Sequence, residues 1–162
     1  TYSIIGVIHD IQVADDGLVR QLLSSDAISP VVIEDNRHNR NVPVEISVLF
    51  VGYQMNGQIF HLLPPSPPLS LDEMNVCSAE EKKVFTTSGR FGYFRHLLRN
   101  ADLPTGELLA AHLHDLRGVN DEKWLVDAIQ ELIVLLRDDY PRLMTLMSAL
   151  GDANLLPEGK HE

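Results

Sequence analysis

The first apolar run, Tyr2-Ser-Ile-Ile-Gly-Val-Ile-His9, is short and rich in β-branched residues, which predicts a strand buried on both faces. Asp15 or Asp16 can then cap a short helix carrying Leu18, Val19, Leu22 and Leu23 and ending near Ser25. Pro30-Val-Val-Ile-Glu34 reads as a second strand, closed by the polar loop Glu34 to Asn41. The strongest pattern follows, in Val42 to Tyr53, Met55-Asn-Gly-Gln58 and Ile59 to Leu63. Asn56-Gly57 supplies the two residues that accept positive φ in a two-residue type I′ turn, so a long hairpin is predicted over 42–63. Pairing Met55 with Gln58 sets Tyr53 against Phe60, Val51 against Leu62, and Gly52 against His61. The apolar phase shifts between Val44-Ile46-Val48 and Leu49-Val51-Tyr53, which requires a bulge near Val48 to Phe50 or a strand buried on both faces.

Pro64-Pro-Ser-Pro-Pro68 cannot join a ladder or a helix, because four of its five residues lack an amide donor and hold φ near −65°. It reads as an extended connector, with room for a short strand around Met74 to Cys77 after it. Ser78-Ala-Glu-Glu81 then matches a capping box, and the period changes from strand to helix. Phe91, Phe94, Leu97 and Leu98 form one helical face that ends at Asn100. Thr105 can cap a helix carrying Leu108, Leu109, His112, Leu113 and Leu116, which stops at Gly118. Asn120 can cap the longest helix, with Leu125, Ile129, Leu132, Ile133 and Leu136 along its stripe. Pro141 suits the first turn of a last helix with Leu143, Met144, Leu146, Met147 and Leu150, with Gly151 just past its end.

The expected architecture is α+β: a small coiled β-sheet or barrel with one short helix over residues 1–77, then a bundle of four to five α-helices over 78–156, then a polar tail over 157–162. At 162 residues and 44% apolar content the chain can bury a substantial core. No repeat of 20 to 50 residues is visible.

Charge narrows the function. The formal net charge is −10, and both halves are acidic, with 11 acidic and 5 basic side chains in residues 1–88 and 12 and 8 in 89–162. Direct nucleic-acid binding, which requires a clustered cationic stripe, is not expected. One cysteine, Cys77, excludes an intrachain disulfide. No basic leader and no apolar run of about 20 residues is present, so no membrane association is expected and the expected location is cytoplasmic.

The candidate chemistry is sparse. His112 and His114 lie about 200° apart on a helix and cannot chelate one ion from it, while His96, His112 and Asp115 converge only if two helices pack face to face. His61 lies opposite Gly52, where the missing side chain leaves space for a ligand or for another backbone. Thr1 has the form of an N-terminal nucleophile, but the basic side chain that such enzymes place in the early sheet has no lysine to supply it, the first being Lys82. Adjacent carboxylates at Asp15-Asp16, Glu34-Asp35, Glu80-Glu81 and Asp138-Asp139 point apart and serve best as caps. The loop containing Glu34, Asp35, Arg37 and His38, and the hairpin tip Met55, Asn56, Gly57 and Gln58, are the candidate partner-binding surfaces. The proline run holds two overlapping P-x-x-P registers but no neighbouring cation, and so reads as a spacer. Cys77 has no adjacent cation and reads as a buried thiol. Phosphate-loop, dinucleotide, zinc-protease, nucleophile-elbow and paired-cysteine motifs are all missing, and no cofactor or metal is expected.

Ile4-Ile-Gly-Val-Ile8, Val42-Pro-Val-Glu-Ile46 and the Pro-Pro connector together resemble the accessory barrel that precedes the motor of HerA-type ATPases. The resemblance covers at most the first 75 residues and implies a docking module without ATPase activity, since the motor's phosphate-binding loop is not in the sequence. The expectation from all of this is a non-catalytic adaptor or accessory subunit that binds another protein or its own copy. The rival is a small hydrolase or ligand-binding enzyme with a pocket between sheet and helices, using His61 or His96.

Overall fold

A computed structural model describes residues 2–13, 34 and 44–156. The protein is α+β. Strands β1 (Tyr2–Val13), β2 (Val44–Met55) and β3 (Gln58–Phe60) form an antiparallel sheet in the order β1-β2-β3. Five helices follow among the described residues: α1 (Ala79–Thr87), α2 (Phe94–Arg99), α3 (Thr105–Leu116), α4 (Glu122–Leu135) and α5 (Tyr140–Asp152). The chain divides into two compact units, one of residues 1–7 with 49–162 and the other of residues 8–48.

The hairpin register is the predicted one. Tyr53 pairs with Phe60, Gln54 with Ile59 and Met55 with Gln58, and the turn residues Asn56 and Gly57 have φ of 52° and 82°. The consecutive β2 residues Val51, Gly52 and Tyr53 are all buried, so this stretch of the strand is covered on both faces. The hairpin is shorter than expected. Pairing stops at Phe60, so the ladder pairs Val51–Leu62 and Gly52–His61 do not form, because the His61 carbonyl is taken by helix α2 instead. The closed barrel is also not what the described strands make, since their sheet is open with β1 and β3 at its edges.

Helix starts were legible in type and sometimes off in position. Ser78 makes the full capping box with Glu81, whose carboxyl is held below its usual range by hydrogen bonds from the Ser78 backbone N–H and hydroxyl. The helix expected from Phe91 begins only at Phe94, and Phe91 itself has φ of +52°. Thr105 lies inside α3 and its hydroxyl donates to the Leu103 carbonyl rather than capping. The cap of α4 is Asp121, which accepts from the Trp124 N–H at 2.8 Å, while Asn120 turns inward. Asp139 caps α5, with Pro141 in its first turn as expected, but Gly151 falls within the helix and not after it. No strand forms at Met74 to Cys77. Glu34 is exposed and helical in backbone, so the expected 30–34 strand does not reach it. The helix near Asp15, the rest of that strand, the loop from Asp35 to Asn41 and the tail from 157 lie outside the described residues.

The core gathers Val51 from the hairpin with Phe85, Tyr93, Phe94, Leu97, Leu109, Leu113, Leu116, Trp124, Leu132, Leu146 and Leu150 from the helical half. Each such side chain contributes about 1.5–3 kcal/mol by leaving water. Helices α3 and α5 pack along each other most extensively. Ile133, assigned to the α4 stripe from sequence, sits instead on its exposed flank.

Candidate functional site

The most connected polar position is His61, the first residue after β3. Its carbonyl accepts from Arg95 Nη2 at 2.6 Å and from His96 Nε2 at 3.1 Å, both on α2. Its ring Nε2–H donates to the Phe85 carbonyl at 3.0 Å. That carbonyl belongs to the last turn of α1, where helical carbonyls have no intrahelical partner and where α1 carries no basic side chain. Trp124 completes the same helix end, its indole Nε1–H donating to the Thr86 carbonyl at 3.2 Å. Two distant aromatic donors therefore satisfy one helix terminus. Trp124→Phe keeps most of the packing and leaves the Thr86 carbonyl unpaired, so a loss of about 1–2 kcal/mol is expected in urea unfolding.

The space for the imidazole comes from two glycines other than the one opposite it in the sequence register. A Cβ on Gly89 would lie 3.2 Å from His61 Nδ1, and one on Gly92 would lie 3.3 Å from its Cβ. Gly52 makes its close approach to the Phe60 carbonyl and the Phe85 ring instead. The His61 ring tilts against Phe85 at 4.7 Å and meets Tyr93 edge-on at 5.1 Å. Burial pushes its pKa below the ordinary value; the Phe85 carbonyl pulls the other way, and Arg95 and His96 add to the lowering. Both the carbonyl and the Nε2 of His61 are committed to holding elements together.

The other histidines are similarly placed. His112 Nε2 lies 3.1 Å from the Tyr93 hydroxyl, and burial lowers its pKa to about 4 while raising that of Tyr93. His114 is exposed. Asp115, a possible companion to His96 and His112, pairs with Lys82 at 2.7 Å. Among the described residues no three His, Cys, Asp or Glu side chains converge to hold a metal ion. Cys77 is half-buried, and its thiol is pushed up by burial and by the Glu81 charge. Of the carboxylate pairs within the described residues, Glu81 and Asp139 act as caps. Thr1 and Asp15-Asp16 lie outside the described residues. No helix among the described residues is long and apolar enough to cross a membrane.

Two grooves open on the helical half. One, of about 780 Å³, runs between α3 and α5 past Glu107, His114, Met144 and Asp152. The other, of about 580 Å³, lies between the end of α1 and α4 beside Phe91, Trp124, Asp127 and Glu131. His61 and His96 line neither of these two grooves.

The candidate partner surfaces fare differently. Met55, Asn56, Gly57 and Gln58 are all exposed at the hairpin tip, and Glu34 is exposed, while Asp35, Arg37 and His38 lie outside the described residues. A larger apolar surface follows β3 and was missed from the sequence. Leu62, Leu63, Leu69, Leu71, Met74 and Val76 are all exposed, Leu69 at 76% and Val76 at 85%, on a connector without strand or helix. The signal for it was present: these are large apolar side chains in a segment whose prolines prevent it from folding back as regular structure. No protein-family model, no curated protein and no solved structure matches the chain.

Proposed function

We propose that this protein is a non-catalytic interaction module, an adaptor or accessory subunit that binds another protein or its own copy. The observation that carries the reading is the row of six exposed large apolar side chains between Leu62 and Val76. Apolar surface of this extent on a folded chain marks a surface that a partner covers. The polar groups that resemble catalytic ones are used in support: His61, His96 and Trp124 tie the hairpin, α1, α2 and α4 together. A hairpin resting on a helical bundle makes a rigid platform, and a preorganised platform lowers the ordering cost of binding. The hairpin tip Met55 to Gln58 and the loop from Glu34 to His38 are secondary contacts in this reading.

The test compares wild type with Leu69→Ser/Leu71→Ser/Val76→Ser in native complexes, by light scattering of the purified chain and by recovery of bound proteins from its own cells. The variant keeps its Tm, because none of the three side chains is packed, and loses at least tenfold in complex recovery or self-association. A wild-type chain that is monomeric and recovers nothing, or a variant that retains every complex, refutes the reading.

A further inference from the structure

We propose that Leu71 is a preformed anchor, held at the tip of a strained turn for insertion into an apolar pocket of a second, different protein, and that the rim of that pocket carries Lys or Arg. The inference rests on the interaction reading above and narrows it to one side chain and one class of partner.

Leu71 is the third residue of a four-residue turn, Leu69 to Asp72, closed by the Asp72 N–H donating to the Leu69 carbonyl at 3.2 Å. Its φ is +74°, whereas that of Ser70 before it is not positive. This is the pattern of a type II turn, whose third position ordinarily takes glycine or asparagine, because a Cβ at positive φ crowds the backbone. A leucine there is strained. Packing against the core would offset the strain, but Leu71 is 101% exposed and has no such compensation. The turn is held instead by Asp72, whose Oδ2 accepts from the Leu69 N–H at 2.7 Å. Backbone strain that local bonds maintain and that no internal packing requires is characteristic of places where a protein meets a ligand.

The surroundings of the turn suit an anchor. Leu69, Met74 and Val76 are exposed at 76%, 60% and 85%, so Leu71 leads a run of apolar side chains and does not stand alone. Both ends of the connector are fixed: His61 is bound to Arg95 and His96, and Ser78 is locked in the capping box of α1. An anchor whose turn is already formed loses less freedom when it binds.

Charge selects the partner. Asp72 and Glu73 follow the anchor directly, and the chain has no Lys or Arg between Arg40 and Lys82. A pocket that receives Leu71 brings its rim against these two carboxylates, and a basic rim complements them. A second copy of this chain does not offer one. Of its two grooves, that between α3 and α5 is edged by Glu107 and Asp152 with no Lys or Arg, and that beside Phe91 carries Asp127 and Glu131 against the single cation Arg90.

The test introduces the photo-crosslinking residue p-benzoylphenylalanine at position 71 of the full chain in its own cells and identifies the crosslinked protein by mass spectrometry. That protein, purified, is then titrated against wild type and variants by calorimetry. The crosslink falls in an apolar surface of a different protein, with Lys or Arg around it. Leu71→Gly weakens binding at least tenfold while raising Tm by about 2–4 °C, because glycine relieves the strain and no packing is lost. A turn that served only the fold would show the rise in Tm without the loss of binding. Leu71→Asn, which tolerates positive φ without adding the flexibility of glycine, gives the same loss of binding. Glu73→Gln weakens binding about threefold, and the wild type binds more weakly as salt rises from about 50 to about 500 mM. The inference is overturned if the crosslink falls on a second copy or on nothing, if both Leu71 variants bind undiminished, or if salt tightens binding. Running Leu71→Gly in the native-complex assay separates the two claims. Complexes that survive it but are lost in Leu69→Ser/Leu71→Ser/Val76→Ser sink this inference and leave the interaction reading standing; a wild-type chain with no complexes sinks the interaction reading itself.

Discussion

Gly52→Ala is expected to destabilise the protein by about 3 kcal/mol, read as a fall of roughly 6–12 °C in Tm. The added Cβ would lie 2.5 Å from the Phe60 carbonyl oxygen and 2.7 Å from the Phe85 ring. The ring can swing aside, but the carbonyl belongs to the strand that β2 is paired with, and moving it disturbs the register at Tyr53–Phe60. Phe85→Leu in the same chain therefore relieves only part of the loss. Gly57→Ala in the turn is the control. A Cβ there would meet no atom within 4 Å, so its cost is the positive φ of 82° alone, about 1 kcal/mol. Equal costs at the two glycines would mean that the close approach at Gly52 constrains nothing.

The contrast between those glycines shows what the sequence could carry. Gly57 was readable because its role is local: Asn-Gly between two apolar runs specifies its turn without reference to anything else. The same holds for Ser78 and Glu81, three residues apart, and for the apolar period of α3 and α4. Gly52 was readable only as a space. That the space is filled by Phe85, and that the chain after Phe60 bends away so that its carbonyl can meet α2, depends on contacts 25 or more positions distant. The choice of cap at α4 failed for a similar reason. Asn120 and Asp121 are both good caps, and the decision is made by Thr86, whose hydroxyl lies 34 positions away and accepts from the Asn120 amide at 3.1 Å. That contact leaves Asn120 Oδ1 buried without a partner.

The histidines mark the same limit in the candidate site. Sequence separated His112 from His114 correctly by helical phase, since His112 packs against Tyr93 and His114 faces solvent. It offered no means of seeing that His61 would donate to a helix end and His96 to the His61 carbonyl, because neither α1 nor α2 adjoins the hairpin in the chain. Exposure of the connector was the reverse case. Its prolines and leucines were plain in the sequence, but whether those leucines would be covered is a property of the whole fold.

His112 is expected to make the protein acid-sensitive. In the unfolded chain its imidazole titrates at its ordinary value of 6.5, and in the folded protein at about 4, with burial as the main cause. Asp115 pulls the value up and Lys82 pushes it down, and the Lys82–Asp115 ion pair ties those two charges to each other. Burial also keeps the Tyr93 hydroxyl protonated, and in the Nδ1–H tautomer of the neutral imidazole it donates to Nε2 at 3.1 Å; an imidazolium cannot accept that hydrogen bond. Between pH 6.5 and 4 the unfolded state binds more protons than the folded state. The contribution of His112 is therefore complete above pH 6.5 and is lost as the pH falls towards 4, a change of about 2–3 kcal/mol. His61, whose pKa is also lowered, acts in the same direction, whereas Glu81 acts only as the pH drops below the ordinary carboxylate range. His112→Gln isolates the effect, since glutamine retains an acceptor for Tyr93 and does not titrate. Urea unfolding at half-unit steps from about pH 7.5 to 4 should show the wild type losing about 2–3 kcal/mol more than the variant. Parallel curves for the two proteins would mean that the imidazole is hydrated in the folded state and that the Tyr93–His112 contact does not exclude the proton.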